Sequence, residues 1–371
     1  MIACLLDTGQ DLETALEFVP NEPAVFLVWP AEGQPYLGRT AMLRRRLKRL
    51  LGERSAASRL LNLRSVARRV EYWRLASRLA SARMFYELAR RHFPENYGEH
   101  IKLRLPPFVK LLLANEFPRT QVTQRLSASQ ALHYGPFRTR ASAEKFEQEL
   151  LDLFQIRRCQ EDLNPSPDHP GCIYGEMARC LRPCQEVVGV AEYQSEVRRV
   201  VTFLDTDGGS LVESIRAARD RLSQELNFEE ARRQHQRLEQ VEQLMRGRDD
   251  LAGEVQRLHG IAVLPSVRAG CVDLHFLLAG VWADAVVFRV AATAGQMIPL
   301  DRRLRELVAK VAVPKVSLRE RQEHIALLAR WYYSSWRDGE WLPFRSLDEL
   351  PYRKLVRAIS RVACGATGAA Q

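Results

Sequence analysis

Four of the seven cysteines, Cys159, Cys172, Cys180 and Cys184, crowd into one short segment, and the stretch between the first two holds Asn164-Pro165-Ser166-Pro167-Asp168 followed by Pro170. Prolines at that density remove amide donors and stop both helices and central strands, so Glu161 to Gly171 is predicted as an irregular loop. Such a loop has no ladder of its own. The start of the chain, Met1 to Gln10, lacks the basic and apolar regions of a secretory signal, which predicts a cytoplasmic protein whose clustered thiols are candidate metal ligands rather than disulfides. Their spacings, with twelve, seven and three residues between successive cysteines, lack the paired C-x2-C of zinc ribbons. Cys4, Cys271 and Cys364 stand apart and read as small core residues or loose ends, and His169 reads as an exposed loop residue.

Around this segment the chain changes period repeatedly, and 371 residues exceed what one core organises. Ala24 to Trp29 is a short apolar run closed by Pro30, with Pro35 to Gly38 following a turn, so two paired strands are expected. Leu43, Leu47 and Leu50 or Leu51 then mark one face of a helix from Thr40, the expected N-cap, to Leu51. A second helix is predicted over Trp73 to His92. From Val190 to Arg246 a polar helical stretch breaks near Asn227-Phe228, which predicts an antiparallel helical hairpin. Beyond Gly260 the period becomes two: Val272, Leu274, Phe276 and Leu278 alternate before Ala279-Gly280, and Trp282 to Val290 returns as a second strand. Ser317 and Glu320 form a capping box for a last helical region, whose aromatics Trp331, Tyr332, Tyr333, Trp336 and Trp341 are expected to join it to the small sheet.

Net charge is +10, but it is concentrated. Between Arg39 and Arg91, sixteen Arg or Lys stand against Glu53, Glu71 and Glu87. A local field of this size suits a polyanion, because neutralised phosphates release their condensed counterions. No uncharged apolar run is long enough to span a bilayer, so no membrane partner is expected.

Four stretches then occur in a recognisable order. Ala24-Val25-Phe26 and Tyr36-Leu37-Gly38 precede the helix Met42-Leu43-Arg44-Arg45-Arg46-Leu47; Tyr134-Gly135-Pro136-Phe137 follows; then come Cys172 to Cys184 with Arg179-Cys180-Leu181-Arg182-Pro183-Cys184; and last Glu225-Leu226-Asn227-Phe228-Glu229-Glu230-Ala231. Together they resemble the N-terminal part of the bacterial excinuclease UvrC family: its GIY-YIG nuclease domain, its cysteine cluster and the UVR motif that docks UvrB. That family's C-terminal RNase H-like and helix-hairpin-helix domains have no counterpart in these residues.

The resemblance implies an endonuclease of nucleotide excision repair, making the 3′ cut in damaged double-stranded DNA by metal-assisted hydrolysis beside a UvrB-like helicase subunit. It assigns Tyr36 as base and Arg46 as transition-state cation, with Arg39 where the family has lysine and Glu87 as the nearest carboxylate to the metal ligand's place at Phe85. Phe26 stands for a tyrosine, Met42 for an asparagine and Tyr97 for a second asparagine. Arg44, Arg45, Lys48 and Arg49 would bind DNA, while Leu226, Phe228, Glu229 and Ala231 would meet the partner. Cys159, Cys172, Cys180 and Cys184 match the ligands of a four-iron four-sulfur cluster, with zinc or buried free thiols as alternatives, and Mg2+ or Mn2+ would serve cleavage. The alternative function is a catalytically degenerate subunit that binds DNA and partner only.

The expected architecture is α+β and multidomain. A small GIY-YIG-like mixed sheet with helices occupies 1–105, a linker and cysteine-cluster module 106–190, an α-helical hairpin 191–250, and a β-rich connecting domain with C-terminal helices 251–371.

Overall fold

The computed structural model describes residues 2–5, 12–53, 61–290 and 299–368; Arg54 and Arg59 of the basic stretch lie outside them. The first unit holds β1 (Ile2–Leu5), α1 (Leu12–Ala15), β2 (Ala24–Pro30), β3 (Tyr36–Thr40), α2 (Leu43–Leu51), β4 (Ala67–Arg74), α3 (Arg78–His92) and α4 (Tyr97–Ile101). Its strands form one sheet in the order β1-β4-β2-β3, antiparallel at every pairing rather than mixed as expected. The expected strand pair is present, with Val28 opposite Tyr36 and Phe26 opposite Gly38. A Cβ on Gly38 would stand 2.5 Å from the Phe26 ring, so only glycine lets that ring lie across β3. Side chains alternate across β2: Ala24, Phe26 and Val28 pack with α2, whereas Val25 and Leu27 pack with α3.

Two helix starts differ from the sequence expectation. The leucine stripe of α2 is buried as expected, yet Thr40 ends β3 and Met42 occupies the cap position; Thr40 Oγ1 accepts the Met42 amide instead (3.1 Å). Likewise α3 begins only at Arg78. Trp73 belongs to β4, which pairs with both β1 and β2, and the Ser77 side chain caps the helix.

The second unit has β5 (Phe108–Leu111), β6 (Thr120–Thr123), β7 (Leu132–Gly135), α5 (Arg140–Leu153), α6 (Ile173–Glu176), α7 (Val190–Asp205), α8 (Gly209–Gln224), α9 (Phe228–Gly247) and β8 (Gly253–Glu254). The sheet order is β6-β5-β7-β8. The polar stretch from Val190 is three helices rather than two, because Asp207 and Gly208 both adopt positive φ and turn the chain before α8. The second break, at Glu225 to Asn227, joins α8 to α9 as a packed pair. This pair buries side chains only toward its base, at Leu211, Ile215, Leu238, Val241 and Leu244, in a core shared with Phe146, Tyr193 and Phe203.

The third unit comprises β9 (Gly260–Pro265), β10 (Cys271–Leu278), β11 (Val281–Trp282), β12 (Val286–Arg289), α10 (Leu300–Val308), α11 (Leu318–Tyr332), β13 (Glu340–Pro343) and α12 (Tyr352–Gly368). The return predicted from Trp282 is split into β11 and β12, both pairing with β10. Val272, Leu274, Phe276 and Leu278 face α10 and α12, while Leu277, Ala262 and Leu264 face α11. The expected aromatics join the last helices to this sheet, with Trp331 fully buried. Ser317 caps α11 by accepting the Glu320 amide (3.2 Å), but the Glu320 side chain pairs with Arg90 rather than completing the box.

That ion pair belongs to a broad seam between α3 and α11. Glu323, buried, accepts the hydroxyls of Tyr86 and Tyr97, both at 2.8 Å, and Asp338 takes the Ser77 hydroxyl and the Arg78 amide. Among the described residues no helix is long and apolar enough to cross a membrane.

Candidate functional site

Tyr36 opens β3 and is half-buried beside Phe26, their ring centroids 6.2 Å apart. Leu43 and Leu47 seat α2 on this face of the sheet, which carries Arg46 over the strand end, and the Arg46 Nη2 donates to the Tyr36 hydroxyl at 3.3 Å. The phenol and guanidinium are thus brought together by a strand and a helix that local sequence specifies. Around them, Arg44 Nε donates to the Val19 carbonyl (2.5 Å), Asn21 caps the Arg45 amide, and the Arg45 and Arg49 side chains stand exposed with Lys48 half-buried.

Arg39 and Glu87 are placed elsewhere. Arg39 follows Leu37 on the α3 face of the sheet, its guanidinium 5.6 Å above the Phe85 ring, where burial first and then Arg330 lower its pKa. Glu87 bonds Arg83 (3.4 Å), one helical turn away. Arg83 is itself buried and donates to His275 Nδ1 (2.6 Å) and the Ala283 carbonyl (2.9 Å), so the His275 ring proton sits on Nε2. Tyr97 is committed to Glu323. Among the described residues no hydrogen bond or ion pair joins a carboxylate to Tyr36 or Arg46. A divalent cation of the Mg2+ kind wants hard oxygen ligands at the reacting phosphate, and among the described residues no group of three His, Cys, Asp or Glu forms such a site.

The four clustered cysteines occupy one neighbourhood. Positive φ at Ala178, Arg182 and Glu186 winds the segment so that Cys159, Cys172 and Cys184 all act electrostatically on Cys180, whose thiol is pushed up to about 11, chiefly by burial. The Arg182 amide points at Cys180 Sγ (3.4 Å) and Arg157 at Cys159 Sγ (3.6 Å), the donors a thiolate requires. Among the described residues no three His, Cys, Asp or Glu side chains are already drawn to coordination spacing. Neutral thiols have no attraction that would draw them together, whereas bonds to a cation set their separation. The donor chemistry therefore fits a soft metal centre. The half-buried His169 holds its own loop, Nδ1 accepting the Gly171 amide at 3.0 Å.

At the far end of the α8–α9 pair, Leu226 is 72% and Phe228 64% exposed. Asn227 Oδ1 caps α9 through the Glu230 amide (3.4 Å), Glu229 is exposed and paired with Arg233, and Ala231 is half-buried. Phe228 therefore does not close its own hairpin; the two apolar side chains stand in solvent above an acidic rim. Sequence reasoning missed the α3–α11 seam. Its members are more than 200 residues apart, and no local pattern marks Glu323 as a double acceptor.

Known proteins resemble this chain most specifically over its middle part. Residues 107–203 match the family model described as UvrC/Cho excinuclease, middle domain. The chain is 24% identical over 277 residues to UvrABC system protein C of Lachnospira eligens, covering 73% of this chain and 45% of that protein. To the protein of the same name from Moorella thermoacetica it is 27% identical over 236 residues (63% and 38%), and to that from Ruminiclostridium cellulolyticum 21% over 332 residues (86% and 54%). It spans about half the length of the curated relatives it matches. No solved structure is a significant match.

Proposed function

We propose that this chain, UvrC-like over most of its length, acts in nucleotide excision repair as a cytoplasmic protein that binds damaged duplex DNA and docks a UvrB-like partner, with a GIY-YIG-type centre for phosphodiester cleavage at Tyr36 and Arg46. The observation that carries the cleavage reading is the 3.3 Å bond between Arg46 and the Tyr36 hydroxyl. A single phosphate can touch both groups. Tyr36, its own phenolic proton first passed to solvent, takes the proton of the attacking water as the water oxygen bonds to phosphorus. The P–O bond to the leaving sugar oxygen breaks and that oxygen takes a proton from solvent, while Arg46 faces the charge that builds on the phosphoryl oxygens. Arg45 and Arg49 on the open side of α2 hold flanking phosphates, supported by Arg44 and Lys48.

The four cysteines hold a four-iron four-sulfur cluster, with zinc as the other metal their thiols suit. Cys159, Cys172, Cys180 and Cys184 would hold the group, and its binding would tie together loop segments that carry no ladder of their own. Absorbance near about 400 nm with about four irons per chain after anaerobic purification tests this; zinc alone would refute it. The UVR-like tip offers Leu226 and Phe228 as an apolar knob, with Glu229 and Ala231 beside it, to a matching helical pair on the partner.

A second reading, a DNA- and partner-binding subunit without cleavage of its own, is favoured by one specific observation: Glu87 is held by Arg83 rather than by anything at Tyr36. Incision of lesion-bearing duplex by the anaerobically purified chain, with a UvrB-like partner and Mg2+ or Mn2+, separates the two. Cleavage lost in Tyr36→Phe supports the nuclease. Intact DNA and partner binding without incision, beside an active full-length UvrC control, supports the binding-only reading.

A further inference from the structure

A groove of about 480 Å3 opens where the C-terminal end of α5, the cysteine turn at Ala178 and Arg179, and helices α7 and α9 meet. Four guanidiniums line it, from Arg179, Arg199, Arg233 and Arg237, against the carboxylates of Asp152 and Glu196. Those carboxylates are already engaged. One oxygen of Asp152 accepts both Arg179 (3.0 Å) and Arg158 (2.7 Å), while Glu196 divides itself between the Gln155 amide (2.9 Å) and Arg199. Arg233 turns to Glu229 and Glu230 on its own helix. Arg237 has only the Leu153 carbonyl, at 3.2 Å, and no ion pair among the described residues.

Burial first, and Arg199 second, lower the pKa of Arg237, and the nearby Glu196 carboxylate offsets part of this. Arg237 and Arg199 share the single Glu196 carboxylate, so this pair of cations is incompletely neutralised and gains when a further anion enters. Two guanidiniums from different helices, with amides of Gln236 and Gln240 along the same wall, match the two non-bridging oxygens of a phosphodiester better than a lone carboxylate.

We propose that this groove is a second phosphate-binding site, separate from the basic face of α2, in which Arg237 and Arg199 hold a backbone phosphodiester of the nucleic acid and Arg179 guards the entrance. The inference rests on the nucleic-acid reading above. It adds that the cysteine turn, through Arg179 next to Cys180, grips the backbone jointly with helices α7 and α9.

The test is the salt dependence of duplex binding by the full chain, read by fluorescence anisotropy, for the wild type, Arg237→Gln, Arg179→Gln and Arg45→Gln. Removing one phosphate-binding cation flattens the slope of log Kobs against log salt by about one unit and weakens binding roughly fivefold to tenfold at about 0.1 M salt. Arg179 is an exposed turn residue, so its variant reports even if Arg237→Gln perturbs the α9 packing; a thermal melt of each variant identifies that case. A flattened slope in Arg237→Gln and Arg179→Gln supports the site. If Arg45→Gln flattens the slope and neither groove variant does, the groove is refuted while the nucleic-acid reading stands. Failure of the wild type to bind duplex at low salt overturns both. Stabilisation by inorganic phosphate that Arg237→Gln abolishes, with the DNA slope unmoved, overturns the proposal in favour of a small-anion site.

Discussion

Replacing Glu323 by alanine should weaken the seam between the first unit and the third. The Glu323 carboxylate accepts the hydroxyls of Tyr86 and Tyr97 at 2.8 Å each, and these tyrosines are only 2% and 9% exposed. Hydrogen bonds to a buried charged acceptor contribute about 1.5–3 kcal/mol each, and removing the acceptor strands both donors away from water. The third bond, from Arg319 Nε at 3.1 Å, comes from an exposed side chain and adds little. Arg90 still donates to the Tyr86 hydroxyl, which offsets part of the loss. The expected cost is roughly 3–5 kcal/mol, equivalent to a fall of roughly 6–20 °C in the calorimetric transition of the coupled units. Glu323→Gln keeps one acceptor and should cost about half as much. Both tyrosines have raised pKa values, from burial first and then the bond to Glu323. The unfolded hydroxyls therefore ionise at lower pH than the folded ones, so this stability is complete below about pH 10 and is lost as pH rises further. A melt of Glu323→Ala within about 2 °C of wild type would refute the reasoning.

Other positions give sharper local tests. Gly38→Ala places a Cβ 2.5 Å from the Phe26 ring, and should cost roughly 1–3 kcal/mol in a urea melt, recovered in part by Phe26→Leu. Phe228→Ser should leave the melting temperature within about 1–2 °C, because the ring is exposed, yet weaken partner binding in calorimetry by roughly tenfold or more. His324 is held neutral with its pKa at about 3, by burial first and then by Arg83 and Arg90, and its Nδ1 accepts the Trp282 amide (3.1 Å). The unfolded ring takes up its proton first, so stability should fall as pH drops from about 6.5 toward 3, and His324→Gln should shallow that acid branch.

The strand pair and α2 were legible because every signal lay within a few residues: the apolar run, the turn, and the leucines at helical spacing. The start of α3 was not, since Trp73 fits a helical apolar pattern as well as a strand and only pairing with β1 and β2 decides between them. The Asp207-Gly208 turn was in plain view as an Asp-Gly pair, but the apolar stripe continues across it and periodicity alone runs straight through. At the candidate site, Tyr36 and Arg46 were marked by the family resemblance alone, since a strand tyrosine and a helix arginine carry no signal of their own. The partner of Glu87 was also readable, because Arg83 stands at i−4 on the same helix, whereas the hold of His275 on Arg83 depends on a strand almost two hundred residues later.

The short strand β8 brings the chain back to β7 after the excursion through α8 and α9, with Glu254 opposite Tyr134 and Gly253 opposite Gly135. Both feet of the helical pair therefore stand on one platform, where Arg248 clasps Tyr134 and Asp207 together. Mechanically this is a boom bolted at two points, so a load applied at Phe228 reaches the sheet as torque about Arg248. Evolution or design can then rewrite the boom's tip, its length included, and change what it hooks without disturbing the deck it stands on.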